Sequence, residues 1–414
     1  MVGLTTKIPE IKNINYFLFF IFIFITAQAS WLILENWFII AVFLITFFLF
    51  IKRGLRIDHI VIYIVFAWII INIISVIHNE TEFDVNTFMG AILKILFPYF
   101  ILKLTGSGFF VKFEKIIFTL ILISIPIFLI QLIVPYLFDS VAPYLNYFVL
   151  KEQQDYSGWY TFIYMHSGFG DYYRNCGFMW EPGAFALMII FGLLLHLYLT
   201  DFNPRYRRVI IYLIALASTL STMGYLVVFI VFLIFLIKQK KLSYFIILLP
   251  VFVIIFISII NLDFLFPELE MHLDYSNLIE NKEYTRDYSL GKLNRLGYNN
   301  LAVIDSFKWP FGNGVLTSRS IKEFYGSDII GGSAFGSLLL MWGWAGILFW
   351  FWATYKFLRT ISNSKNSMIV DLLSTLVIVL AFSSNPIPKS PLLYVVVTYP
   401  FIKWNFMTYD LKYV

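Results

Sequence analysis

Long apolar runs punctuate this chain at 14–34, 36–51, 58–77, 87–104, 114–136, 179–199, 208–220, 222–237, 242–261, 333–358, 367–383 and 390–408. Most approach the roughly 20 residues that an α-helix needs to cross a bilayer. The 208–237 stretch reads as one long helix or two short ones, and Ser221-Thr222-Met223-Gly224 favours a turn between two. The pattern predicts an all-α integral membrane protein of about twelve transmembrane helices. It forms one polytopic domain over 1–414, with two large loops at 137–175 and 261–332.

The placement of Lys and Arg tests that count, because cytoplasmic loops carry an excess of base. Numbered from a cytoplasmic N-terminus, the inside segments hold Lys7 and Lys12, Lys52, Arg53 and Arg56, then Lys103, Lys112 and Lys115. They continue with Arg205, Arg207 and Arg208, with Lys238, Lys240 and Lys241, with Lys356, Arg359 and Lys365, and end with Lys412. The short outside segments are poor in base: Glu35, then Glu80, Glu82 and Asp84, then 221–224, then 383–390 with only Lys389. Twelve spans with both termini cytoplasmic satisfy every short loop. A single span over 208–237 would reverse every later loop. Both large loops are then periplasmic, and the expected location is the bacterial inner membrane.

Composition narrows the class further. The chain is 60% hydrophobic and 13% charged, too apolar for a water-soluble fold of this size, so membrane lipid is an expected partner. A net charge of +5 gives no reason to expect nucleic acid. Cys176 is the single cysteine, which excludes an intramolecular disulfide and suits a packing role. Ala27-Gln28-Ala29 mimics a signal-peptidase site, but a further apolar run follows at once, so a retained first helix is expected.

Metal ligands in HExxH, CxxC or Asp-x-Asp spacing are missing, and so are a Walker A loop and a GxSxG elbow. No metal site or cofactor is therefore expected. What remains is a set of outside arginines and carboxylates. Arg174-Asn175-Cys176-Gly177-Phe178-Met179-Trp180-Glu181-Pro182-Gly183 closes the first large loop and opens an apolar run. A carboxylate at Glu181 is costly at lipid level unless it faces a polar cavity or a partner. Pro182 and Gly183 suit a helix start. The competing reading is an interfacial Arg174 with Glu181 as its ion-pair partner.

In the second loop Arg295 precedes the amphipathic stretch Ala302-Val303-Ile304-Asp305-Ser306-Phe307. A Gly-rich turn follows, Lys308-Trp309-Pro310-Phe311-Gly312-Asn313-Gly314, and then Arg319. Guanidinium groups match phosphate bidentately, and Trp309, Tyr298 and Tyr325 offer stacking faces or interface anchors. The competing reading here is a solvated charged loop. His166 is either a proton carrier or simply solvated, and 383–391 reads as a plain turn.

Taken together, Arg174, Gly177, Phe178, Glu181, Pro182, Gly183 and Ala186, Leu220-Ser221-Thr222-Met223-Gly224, the loop with Arg295 and Pro310-Phe311-Gly312-Asn313-Gly314, and Leu340-Met341-Trp342-Gly343-Trp344-Ala345-Gly346 resemble the Wzy-type O-antigen polymerase and O-antigen ligase superfamily. The resemblance covers nearly the whole chain. It implies a GT-C-like membrane glycosyltransferase acting on undecaprenyl-diphosphate-linked oligosaccharides, with a chain-length regulator as a further partner. It assigns diphosphate binding to Arg174, Arg295 and Arg319, and leaves Glu181 and Asp305 as candidates for the general base. The ligase branch carries a histidine where this chain has Gly331-Gly332-Ser333, so a polymerase is expected over a ligase. A lipid-linked oligosaccharide flippase is the alternative outside enzymes.

Overall fold

The computed structural model describes residues 12–79, 85–146, 149, 158–166, 173–241, 295–314, 334–362, 366–383 and 390–404. Within them the chain is mostly helical. The helices are α1 (Lys12–Ala27), α2 (Asn36–Lys52), α3 (His59–Asn79), α4 (Val85–Thr105), α5 (Phe109–Ile133), α6 (Pro135–Leu145), α7 (Pro182–Leu199), α8 (Tyr206–Ser218), α9 (Thr222–Lys238), α10 (Arg295–Lys308), α11 (Ala334–Ile361), α12 (Met368–Ser383) and α13 (Pro391–Thr398). A two-stranded antiparallel hairpin, β1 (Trp159–Tyr160) and β2 (Met165–His166), lies between α6 and α7.

Among the described residues, five helical stretches are long and apolar enough to cross a membrane: His59–His78, Phe88–Thr105, Phe109–Ile133, Pro182–Leu199 and Phe335–Ile361. Five shorter apolar helices accompany them. Phe48, Phe66, Ile77 and Ile133 are exposed on the outside of the bundle. Large apolar side chains displayed in such numbers fit a lipid-facing surface. At the centre stands α7, whose residues 184–199 are all buried. The apolar run at 242–261 lies outside the described residues.

Local signals set the boundaries. Gln28 takes a left-handed φ of 53°, which ends α1. Ser30 then caps a short 3-10 turn at Trp31–Leu34, so the run at 14–34 holds two elements. Val134 leaves helical geometry and Pro135 starts α6 at its first position. The first large loop therefore opens with an eleven-residue helix, which its apolar pattern did not predict. The 208–237 stretch divides as expected. Its α8 ends at Ser218, Leu220 turns at a φ of 49°, and Ser221 caps α9 by accepting from the Gly224 N–H at 3.3 Å.

Hydrogen bonds gather the connections into two ends. At one, Arg53 donates to the Leu104 carbonyl at 2.6 Å, Lys103 pairs with Asp58 at 2.9 Å, the Tyr399 hydroxyl donates to the Ser107 carbonyl at 2.9 Å, and Gln239 donates to the Phe202 carbonyl at 2.6 Å. At the other, the Trp180 N–H donates to the Ala27 carbonyl at 3.2 Å and the Asn175 N–H to the Ser218 carbonyl at 3.0 Å. The basic clusters 52–56, 103–115, 205–208 and 238–241 all belong to the first end.

Near that basic end a charge is buried. Glu114 of α5 is fully enclosed. Arg208 of α8 donates to both of its oxygens, at 3.1 and 3.0 Å. The Tyr212 hydroxyl donates at 3.1 Å, and His196 Nδ1 of α7 stands 3.3 Å away. A buried carboxylate is costly without such donors. Here they tie three helices together.

Candidate functional site

The segment 173–181 is built around Asn175. Its side chain donates to Ser124 Oγ of α5 at 3.3 Å and to Ser218 Oγ of α8 at 2.9 Å, and it accepts from the Gly177 N–H at 2.9 Å. Gly177 has a φ of +50°, and the Phe185 ring occupies the space where its side chain would be. Only glycine fits that turn without displacement. Glu181 then sits in extended geometry as the N-cap of α7, with Pro182 at the first helical position.

Arg174 acts first on the protein itself. Its Nε donates to the Thr219 carbonyl at 3.0 Å and its Nη2 to the Leu220 carbonyl at 2.8 Å. These carbonyls lie beyond the end of α8, where the helix leaves acceptors unfilled. Both of these donors go to backbone carbonyls. Two of its five N–H donors are engaged this way. Cys176, between Arg174 and Glu181, is fully buried. Burial and the nearby Glu181 push its thiol up to about 12, against the opposing pull of Arg174. That thiol is a packing group rather than a nucleophile. Close packing also joins α7 to the start of α9, since a Cβ on Gly224 would meet the Ala186 Cβ at 3.2 Å.

A second junction forms between α10, its following turn and α11. Helix α11 breaks at Gly343, with φ 65° and ψ −169°. The turn at 310–314 fills the break: the Trp344 N–H donates to the Pro310 carbonyl at 2.9 Å, and the Asn313 N–H to the Leu340 carbonyl at 2.6 Å. Ser75 of α3 donates to the carbonyl and side-chain oxygens of Asn313, and Trp309 meets the His78 ring edge-on at 4.3 Å. Irregular backbone at membrane depth is stable only when its polar groups are met in this way. Trp309 is thus a packing contact in this structure.

Asp305 lies on α10, half-buried. Burial raises its carboxyl above the usual carboxylate range, with Lys308 opposing. A raised carboxyl is a stronger proton acceptor than an ordinary one. Asn299 of the same helix accepts from the Gly336 N–H at 3.2 Å, which fixes α10 to α11.

Beside this junction runs an apolar groove of about 590 Å³ between α3, α11 and α13. Ile60, Ala67 and Ile74 line it along α3, with Phe311 and Trp342 at the junction and Val397 on α13. From Ile60 to Ile74 it follows α3 for roughly 20 Å at 1.5 Å per residue.

The predicted site residues thus fall into two groups. Arg174 and Glu181 share one segment with Cys176, and Asp305 belongs to the α10–α11 junction. Arg295 opens α10, but its side chain lies outside the described residues, as do Arg319, Arg286 and Tyr325. His166 is buried rather than solvated, 3.2 Å from Asp139 of α6, and burial lowers its pKa while Asp139 opposes.

Sequence reasoning missed the buried polar groups Glu114, His196, Asp371, Asn72 and Ser75. Each interrupts an apolar run, and that was the available signal. Comparison with protein-family models, curated proteins and solved structures finds no match for this chain.

Proposed function

We propose that this chain polymerises undecaprenyl-diphosphate-linked oligosaccharide repeat units at the periplasmic face of the bacterial inner membrane. In this reading it has twelve spans, cytoplasmic termini at the basic end, a GT-C-like layout, and a chain-length regulator as partner. The acceptor sugar hydroxyl attacks the anomeric carbon of the lipid-linked glycan. The bond from that carbon to the diphosphate oxygen breaks, and the hydroxyl proton passes to a carboxylate, Asp305 or Glu181. Arg174, Arg295 and Arg319 match the charge of the departing diphosphate.

One observation carries this reading. The apolar groove along α3 has the length and lining for a hydrocarbon chain, and it ends at the turn that anchors α10 and its raised carboxylate. Replacing Ala67 or Ile71 by Trp fills the groove from the α3 side. Short surface glycans at normal protein level are expected. Unchanged long chains in both variants remove the groove, and with it the support for a lipid-linked substrate.

Lipid-linked oligosaccharide transport is the second reading. The broken α11 and the intramembrane Glu114–Arg208 pair are features that transporters share.

A further inference from the structure

Helix α10 uses only part of its circumference to pack. Ala302 and Ser306 are buried one turn apart against α11, and Leu339 and Leu340 belong to the same small core. A different stripe points outward. Ile304 is 49% exposed, Phe307 75% and Phe311 67%. Ile304 and Phe307 share one face of the helix, and Phe311 follows in the turn beyond its end. Phe307 meets the Trp344 ring at 6.3 Å and otherwise stays open.

Two observations say what covers it. The first is depth. The turn after α10 is hydrogen-bonded to Leu340 and Trp344, six and ten residues into α11. At 1.5 Å per residue those bonds lie roughly 9–15 Å along that helix from its start. The last turn of α10 is therefore held beside a membrane-level segment and not out in solvent. The second is continuity. Phe311, the end of the stripe, is also a lining residue of the apolar groove, which runs down α3 among the exposed side chains of Tyr63, Ile70 and Ile74. The stripe and the lipid-facing surface of the bundle are one apolar sheet.

We infer that α10 is an interfacial helix whose Ile304–Phe307–Phe311 stripe is immersed in the headgroup–acyl boundary of a phospholipid bilayer. Lys308, exposed at the edge of the stripe about 100° round the helix from Phe307, extends its ammonium to the headgroups and water. This inference rests on the membrane reading of the bundle and not on the polymerase activity.

The test uses the full chain in vesicles of phosphatidylethanolamine and phosphatidylglycerol. Phe307→Cys and Lys308→Cys each carry a polarity-sensitive fluorophore, and the parent chain, whose lone Cys176 is buried, serves as the labelling blank. Quenching by nitroxide-bearing phospholipid is compared with quenching by iodide. The label at 307 is expected to show at least a several-fold preference for the lipid quencher, and the label at 308 the reverse. If Phe307→Cys fails to fold, Phe311→Cys gives the same reading. Iodide quenching at 307 or 311 as strong as at 308 overturns the inference and puts α10 in water.

Discussion

The backbone N–H of Trp344 donates to the carbonyl of Pro310 at 2.9 Å, so a loop turn closes the gap in a long apolar helix. The break exists because Gly343 takes a φ of 65°, and a side chain there would strike the Pro310 carbonyl and the Gly312 nitrogen. Gly343→Ala is expected to cost about 2–3 kcal/mol, from left-handed backbone strain together with the clash. A lower melting temperature in detergent checks this. An unchanged melting temperature would show that the junction is not formed as described.

That junction also shows how far the sequence could be read. The Gly-rich turn at 310–314 and the stretch at 340–346 were each recognisable, but nothing local to either says that one fills a gap in the other. Their pairing depends on hydrogen bonds across about thirty residues of chain. The split of 208–237 was legible because its turn residues are local, whereas α6 was not, since Pro135 begins a helix inside an apolar run. Arg174 and Glu181 were legible as residues of interest. The carbonyls that Arg174 holds were not, because they are backbone atoms 45 and 46 residues away.

Arg174 is expected to serve stability as well as any phosphate. Arg174→Ala removes two charge-assisted hydrogen bonds, which should cost about 2–3 kcal/mol. Arg174→Lys can keep one contact and should recover part of that loss. Thermal unfolding in detergent separates the two. Equal stability of all three proteins would contradict the assigned contacts.

The Glu114–Arg208 pair predicts a double-mutant pattern. Glu114→Leu or Arg208→Met alone strands a buried charge and should cost about 3–5 kcal/mol, while the two together should recover most of it. Additive losses in melting temperature would mean that the two side chains do not act as a pair.

His166 gives a pH dependence. Burial holds its folded pKa below the usual 6.5, with Asp139 only partly offsetting. A depressed histidine pKa favours the neutral form in the folded state, so this contribution is present above about 6.5 and is lost as pH falls through the folded value. Fluorescence of the hairpin residue Trp159, packed 5.6 Å from His166, should report loosening on acidification. His166→Phe should flatten that response; an identical acid profile in the variant assigns the effect elsewhere.

The polymerase reading meets its most direct test in the host cell. Delete the gene, restore it with the intact chain or with Asp305→Asn, and resolve the surface polysaccharide by length. The account predicts glycans of a single repeat in the deletion, long chains with the intact protein, and short chains with Asp305→Asn at equal protein level. A full ladder of lengths in the deletion strain would contradict it.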